Sequence, residues 1–304
     1  MRKIIIPPIK SQGIKTKLVP WISAAIPEEH GRWIEPFMGT GVVAFNVKAS
    51  EYLLSDSNPH IINFYNAIKY NKITSLAVKE YLEIEGLNLK TADDNGYGHY
   101  KFIRNRFNEQ FDPLDFLFLS RAGFNGMIRF NGKGKWNIPF CKKPERFDKS
   151  YITKIVNQVA RVSQLINNNW IFTHKDFREI IPLANGNDVM YCDPPYHGRY
   201  VDYYNSWTDD DEHDLYELLL HTKAYFILST WHHNDYRENE MVKKYWNKFD
   251  IVTKDHFYHS GGRIENRNSI VEALVFNFKT DINEYRYEPM EQEMQCTLLS
   301  KSAR

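Results

Sequence analysis

The sequence has few of the features that mark secreted, membrane-spanning or disulfide-stapled proteins. Its three cysteines, among 304 residues, are scattered without paired spacing, which argues against a disulfide framework and a zinc site. No apolar run approaches the roughly 20 residues that cross a bilayer, and the apolar stretch near the first residue is too short for a secretory signal. We therefore expect a cytoplasmic protein with no metal site and no membrane partner.

Net charge is also nearly absent, but the charges are unevenly distributed. The chain carries +1 at pH 7, whereas residues 121–149 contain eight Lys or Arg against two acids and so carry +6. The remainder of the chain therefore carries −5. Aromatic residues interleave with this basic stretch, namely Phe124, Phe130, Trp136 and Phe140. The combination is typical of a nucleic-acid contact surface, with a solvated lysine-rich face as the alternative.

Alternating apolar runs and amphipathic segments indicate an α/β fold. Strands are predicted at 32–35, 51–55, 170–173, 189–192 and 224–229, with a late antiparallel pair at 251–257 and 270–278. Helices are predicted at 58–69 and 150–166, and helical spacing dominates 72–118 as an insertion. In the basic stretch, two glycines separate the strand-like runs 127–130 and 136–140, as expected of a hairpin slim enough to enter a major groove.

The apolar run from Val189 to Cys192 ends abruptly in Asp193-Pro194-Pro195-Tyr196. This pattern predicts a buried strand that stops in a rigid loop at its carboxyl end, where open α/β sheets place their ligands. The alternative is a plain Pro-Pro turn in which Asp193 caps the next segment.

Two glycines and an acid near the start of the chain are typical of a nucleotide site. Gly39 and Gly41 follow the first strand and permit positive φ and close approach to a ligand, and a helix is expected to start after them. Asp56 ends the second strand, 15 residues after Gly41, where α/β sites hold a ribose. The alternative is an ordinary βα connection. Lys15 lies in a polar loop that leads into a predicted amphipathic helix reaching residue 26, and it could help to hold a carboxylate or phosphate.

Taken in chain order, these stretches resemble the Dam-type (class alpha, D12) DNA adenine-N6 methyltransferases. Residues 35–41, Glu-Pro-Phe-Met-Gly-Thr-Gly, are similar to the S-adenosylmethionine loop of that family, and 121–131 with 137–140 to its DNA-reading hairpin. The resemblance covers about residues 1–280. It implies a Rossmann-like S-adenosylmethionine-dependent methyltransferase sheet, with a mostly helical target-recognition insertion that carries a β-hairpin.

The resemblance also implies a domain division and partners. The catalytic, S-adenosylmethionine-binding domain would comprise 1–69 and 150–280, the target-recognition domain 70–149, and a polar tail 281–304. Double-stranded DNA is the expected partner. The chain would act either in a restriction-modification system or in a phage. A restriction-modification system would add a cognate restriction endonuclease as a partner. We expect a monomer in solution.

The resemblance assigns roles residue by residue. Catalysis falls to Asp193, Pro194, Pro195 and Tyr196. The residues expected to bind the cofactor are Ser11, Gln12, Gly13, Lys15, Glu35, Pro36, Phe37, Gly39, Thr40, Gly41, Asp56, Asp176 and Phe177. Those expected to contact DNA are Lys10, Arg121, Phe124, Asn125, Met127, Arg129, Asn131 and Pro139. For each DNA contact the alternative is a role in stabilising the hairpin.

The chemistry of adenine methylation fits these residue types. The adenine amino nitrogen is a poor nucleophile because its lone pair is delocalised into the ring, and Asp193 and the Pro194 carbonyl offer acceptors for its two N–H groups. Tyr196 can stack on the base. Because the amine lies inside a duplex, the base must be flipped, with Phe124 as the candidate wedge. Arg129 is the candidate for a bidentate guanine contact.

Other functions share parts of this pattern. An N4-cytosine methyltransferase would use the same geometry but more often carries Ser at the position of Asp193. An RNA or protein-amide methyltransferase usually has Asn there and lacks the hairpin, and a small-molecule methyltransferase would not need the basic stretch. A DNA-binding protein that had lost catalysis would keep the basic stretch and lose the acid.

Overall fold

The structure is a computed structural model that describes residues 3–196, 207–257 and 269–282. Its strands are β1 Trp33–Glu35, β2 Tyr52–Ser55, β3 Trp170–Thr173, β4 Val189–Cys192, β5 Tyr225–Asn234, β6 Asp250–Phe257 and β7 Ser269–Phe276. Its α-helices are α1 Val19–Ala24, α2 Pro59–Lys69, α3 Ser75–Thr91, α4 Tyr97–Gln110, α5 Pro113–Ala122, α6 Lys149–Leu165, α7 Phe177–Ile180 and α8 Asp209–His221. Most of the predicted tail, residues 283–304, lies outside the described residues.

The seven strands form one sheet in the order β3-β2-β1-β4-β5-β7-β6. β1 to β5 are parallel, and β7 runs antiparallel to both β5 and β6, which confirms the predicted late antiparallel pair. The chain moves outwards from β1 to β3 and then crosses back to β4, so β1 and β4 are neighbours at a topological switch point. Ligands bind at the carboxyl ends of such strands in open α/β sheets. The topology is that of a Rossmann-like methyltransferase sheet.

The central strands are buried along their whole length because helices cover both faces of the sheet. Every residue of β1, β2 and β4 is buried. Trp33 of β1 stacks on Tyr191 of β4, with ring centroids 6.1 Å apart. This packing holds the ends of β1 and β4 side by side, which brings Glu35 and the Asp193 loop to the same edge of the sheet.

The predicted helical insertion consists of α3, α4 and α5. Charged side chains join the three helices: the Arg106 guanidinium of α4 donates to Glu85 of α3 at 2.9 Å and to Asp115 of α5 at 2.6–2.9 Å. The largest apolar core is continuous from these helices into the sheet, with Phe107 and Tyr191 in the same cluster. The division into a catalytic domain and a target-recognition domain therefore remains a prediction. None of the described helices is both long and apolar enough to cross a membrane.

Three local predictions differ from the structure. The helix predicted up to residue 26 contains only Val19–Ala24, because Pro27 limits its end. After Gly41 a single 3-10 turn, Ala44–Asn46, replaces the expected helix, since the Asn46 amide donates to the carbonyls of Val42 and Ile5. The predicted hairpin is a turn closed by isolated antiparallel bridges, Phe130 with Trp136 and Gly123 with Phe140, rather than by strands.

Candidate active site

One cavity at the carboxyl ends of β1 and β4 brings together most of the residues predicted to bind cofactor or to catalyse. All of the predicted cofactor residues except Gly41 line it, as do Asp193, Pro194, Pro195 and Tyr196. Met127, from the predicted DNA-reading segment, also lines the cavity. The site therefore opens towards the segment that sequence analysis assigned to DNA recognition.

Asp193 pairs with Lys15, and the segment after Tyr196, which Asp193 would cap in the alternative interpretation, lies outside the described residues. The Lys15 Nζ lies 3.0 Å from the Asp193 Oδ1 and 4.7 Å from the centroid of the Tyr196 ring. Lys15 is buried, with 6% of its side chain exposed. The polar loop before α1 thus places the Lys15 ammonium next to the Asp-Pro-Pro-Tyr loop, although the two paired residues are 178 positions apart in the sequence.

The electrostatics of Asp193 are set by burial, by one cation and by one further acid. Burial raises the pKa of Asp193 above its ordinary value, the adjacent Lys15 ammonium lowers it, and the negative charge of Glu272 raises it. Lys15 therefore helps to keep Asp193 ionised. An ionised carboxylate only accepts hydrogen bonds, and it can accept several at once.

Tyr196 is anchored at its hydroxyl. The Tyr196 Oη donates to the Glu272 Oε2 at 2.6 Å and lies 3.4 Å from the Ser229 Oγ. Its ring packs with Trp231 and Ile270 in a small apolar cluster. Neither Glu272 nor Ser229 is among the site residues predicted from the sequence. A signal was present, because Glu272 is a lone acid within the apolar run 270–276.

The glycine turn after β1 leaves open space next to its backbone. Gly39 and Gly41 have positive φ, and a Cβ added at Gly39 would meet no atom within 4 Å. The Asp56 carboxylate accepts from the Gly39 N–H at 2.7 Å and from the Asn58 N–H at 2.8 Å. Burial raises the pKa of Asp56, while these two backbone donors lower it. Asp56 therefore braces the turn as well as facing the cavity.

Glu35 is the most deeply buried acid of the cavity, with 1% of the residue exposed. Its Oε1 accepts from the Trp33 Nε1 at 2.8 Å. Burial raises the pKa of Glu35 to about 8, against the partial compensation of the Trp33 donor. A cation that enters the cavity would therefore favour the ionised form of Glu35.

Aromatic rings form another wall of the cavity. Phe37, Phe177 and Trp207 contact one another with centroids 5.2–5.6 Å apart. Asp176 caps α7 by accepting from the Arg178 N–H at 2.9 Å, and its carboxylate also pairs with the Arg178 guanidinium. Trp207 was not among the predicted site residues because it follows a loop that carries no recognisable nucleotide-binding pattern.

The predicted DNA-reading segment presents an exposed aromatic ring. Phe124 is 48% exposed, and its backbone N–H donates to the Pro139 carbonyl at 2.9 Å. Asn125 is exposed and has positive φ. The Arg129 Nε donates to the Asn137 Oδ1 at 2.9 Å, which orients the guanidinium. These contacts fix the backbone while leaving Phe124 and Asn125 outermost.

Two residues predicted to contact DNA form hydrogen bonds within the protein. The guanidinium of buried Arg121 donates to the Pro8 carbonyl and to the Gln158 Oε1 at 2.7 Å, so its placement argues against a DNA contact. The Asn131 Oδ1 accepts from the backbone of Lys133 and Lys135 at 3.0 Å and closes the turn, which favours the hairpin-stabilising alternative. Neither role is visible in sequence, because each depends on which atoms the fold brings within reach.

Lys10 lies at the junction of the amino-terminal segment and the DNA-reading segment. Its aliphatic chain packs so closely on Gly126 that a Cβ there would lie 2.8 Å from it. Two residues later, the Gln12 N–H donates to the Gly126 carbonyl at 3.1 Å. Burial lowers the pKa of Lys10, as do the nearby charges of Arg146 and Arg121. The half-buried ammonium lies in a positive environment that suits an anionic partner.

Comparison with known proteins decides the family. Residues 11–260 match the D12 class N6 adenine-specific DNA methyltransferases. The chain belongs to this family. The D12 assignment confirms the resemblance found in the sequence, and a methyltransferase of this family implies S-adenosylmethionine as the methyl donor.

The chain is similar in sequence to several DNA methyltransferases. The DNA adenine methylase of Haemophilus influenzae is 33% identical over 196 residues, which cover 62% of this chain and 63% of that protein. The Type II methyltransferase M.FokI of Planomicrobium okeanokoites is 26% identical over 89% of this chain but 42% of its own length. The Type II methyltransferase M1.LlaDCHI of Lactococcus lactis subsp. cremoris is 25% identical over 88% of this chain and 94% of its length. The chain thus matches less than two thirds of the length of the first two.

Among solved structures, an rRNA methyltransferase from Streptomyces viridochromogenes aligns with 91% of each chain at 9% identity and a TM-score of 0.34. At this level the likeness carries no argument about function.

Proposed function

We propose that this D12 chain transfers a methyl group from S-adenosylmethionine to N6 of adenine in duplex DNA. One observation carries the proposal: Asp193 and Pro194, at the carboxyl end of β4, line the same cavity as the Gly39 turn and as Met127 of the DNA-reading segment. The two groups predicted to accept from an amine, the glycine turn predicted to bind a nucleotide and the predicted DNA-reading segment therefore line one cavity. This combination favours methylation of a base over methylation of a small molecule.

The residues of the cavity fit S-adenosylmethionine. Space is open at Gly39, where a side chain would obstruct a ligand that approaches the backbone. Glu35 and Asp56 would hold the positively charged and ribose portions, because carboxylates pair with cations and accept from hydroxyls. Phe37, Phe177 and Trp207 would enclose the adenine ring. The cofactor, when bound, supplies the methyl group.

The protein's own contribution to catalysis is to bind and orient the target amine. Asp193 and the Pro194 carbonyl accept its N–H groups and draw electron density towards the nitrogen as it reacts. Lys15 favours the ionised, accepting form of Asp193. Tyr196 supports the base through its ring. Since no covalent bond to the protein is needed, the positioning of the amine relative to the methyl donor provides a large part of the rate enhancement.

The target adenine must leave the duplex to reach this cavity. The exposed ring of Phe124 is suited to fill the vacated position, and the oriented guanidinium of Arg129 to read a guanine. Double-stranded DNA is accordingly the proposed partner. The similarity to proteins named as Type II methyltransferases supports a restriction-modification setting with a cognate endonuclease.

Methyl transfer from tritiated S-adenosylmethionine to duplex DNA tests this function. We expect the label in N6-methyladenine after the DNA is digested to nucleosides. Label only in cytosine would favour the N4-cytosine alternative, and label only in RNA or protein would reject a DNA substrate. Asp193→Asn, which keeps the size of the side chain and removes its charge, should lower kcat on the order of a hundredfold to a thousandfold.

A further inference from the structure

Glu272 is a carboxylate buried within the sheet. It lies in β7, is 0% exposed, and is the only acid in the run from Ile270 to Phe276. A buried carboxylate loses its hydration, and folded proteins tolerate this loss where hydrogen bonds or opposite charges compensate for it. An apolar residue would fill this strand position at lower cost. The position of Glu272 therefore calls for an explanation beyond packing.

The contacts of Glu272 point to the Asp-Pro-Pro-Tyr loop. Its Oε2 accepts from the Tyr196 hydroxyl at 2.6 Å, a short bond of the charge-assisted kind. The strand register places Glu272 between Trp231 of β5 and Lys254 of β6. Trp231 packs against Tyr196, so β5 and β7 hold the tyrosine at both its ring and its hydroxyl.

We propose that Glu272 is a positioning residue for methyl transfer, which orients the Tyr196 ring towards the incoming base. This role rests on the proposed function. Pro194 and Pro195 fix the backbone up to Tyr196, but they do not fix the rotation of its side chain. The bond from the hydroxyl to Glu272 restricts that rotation from the far end of the ring.

The orientation of the Tyr196 ring determines where a stacked base would lie relative to Asp193. Asp193 lies three residues before Tyr196 on the same loop, and the Lys15 ammonium contacts both the Asp193 carboxylate and the Tyr196 ring. A base stacked on the ring is therefore placed relative to the Asp193 acceptor. Displacement of a reacting group by about 1 Å can cost roughly a hundredfold in rate. A buried anchor on β7 is well suited to prevent such displacement.

Four variants separate positioning from a general contribution to stability. Tyr196→Phe removes the donor, Glu272→Met removes the acceptor at similar volume, Glu272→Gln keeps an acceptor without the charge, and a double variant combines the first two. Tyr52→Phe is the matched control, because its buried hydroxyl donates to the Val47 carbonyl at 3.0 Å outside the site. Cofactor binding in each variant reports whether the cavity has folded.

We expect Tyr196→Phe and Glu272→Met each to lower kcat about tenfold at unchanged KM for S-adenosylmethionine, as loss of a bond to a charged group would. The double variant should also lose about tenfold rather than a hundredfold, because both changes break one interaction. Glu272→Gln should stay within about threefold of the wild type, and Tyr52→Phe should keep its kcat. With 2-aminopurine at the target position, Glu272→Met should raise emission because a less restrained ring stacks less closely.

The outcomes distinguish this role from the proposed function. A wild-type protein that deposits no methyl group on adenine overturns the proposed function itself. A wild type that methylates adenine, with Glu272→Met retaining its kcat, overturns only the positioning role. Multiplying losses in the double variant would likewise show that Tyr196 and Glu272 act separately and would overturn it.

Discussion

Removal of the Asp193 carboxylate is expected to have two separable effects, one on catalysis and one on stability. Asp193→Ala takes away the proposed acceptor for the target amine, so methyl transfer should be lost. It also leaves the Lys15 ammonium, only 6% exposed, without the carboxylate that lies 3.0 Å away. Breaking a buried ion pair from one side costs about 3 to 5 kcal/mol, because the remaining charge is no longer compensated.

The lower end of that range applies, since the pair faces a cavity that water can enter. A loss of about 3 kcal/mol in the free energy of unfolding corresponds to a fall in Tm of roughly 6 to 12 °C, taking the 2 to 4 °C per kcal/mol found for domains of about 150–250 residues. Lys15→Met combined with Asp193→Ala removes the buried ammonium as well. The double variant should regain most of the stability and none of the activity.

Urea unfolding and single-turnover tritium transfer measure the two effects independently. Glu83→Ala is the matched control, because its pair with Lys79 is 3.9 Å long and about half exposed, and exposed pairs contribute little. If Asp193→Ala unfolds at the wild-type urea concentration, the Lys15 pair carries no structural weight. If the double variant transfers methyl groups, Asp193 is not the acceptor and the catalytic assignment is wrong.

Three further perturbations follow from the site. Because the pKa of Glu35 rises from an ordinary 4.5 to about 8 on folding, the native state retains a proton that the unfolded state has released. Stability should therefore fall as pH rises from about 4.5 to 8, and Glu35→Gln should flatten this slope in urea unfolding; an unchanged slope would refute the shift. Arg121→Met should cost roughly 3 kcal/mol in unfolding free energy because it leaves buried acceptors without a hydrogen bond. It should leave the salt dependence of DNA affinity unchanged. A shallower salt dependence would instead support the predicted contact between Arg121 and DNA. Arg129→Ala should relax recognition at one base pair by about 1 to 3 kcal/mol in binding selections, whereas a uniform loss over all sequences would make Arg129 a phosphate contact.

Local patterns in the sequence were sufficient to predict the bounds of several strands of the sheet. β3 and β4 begin and end at the predicted residues, because buried parallel strands are short apolar runs that polar or turn residues interrupt on both sides. The order of the glycine turn, the basic stretch and the Asp-Pro-Pro-Tyr loop also identified the family, which the D12 match confirms. Such motifs are continuous in sequence, so they can be recognised without coordinates.

Motifs and periodicity were therefore enough to predict the class of fold, the family and the loops that form the cavity. The coordinates were needed to show that Lys15 pairs with Asp193, that Arg121 is buried, and that the Tyr196 hydroxyl donates to Glu272, 76 residues away. The physical reason is that burial and pairing depend on strand register and packing between distant segments. Periodicity constrains the face on which a side chain lies, but not which distant partner it meets there.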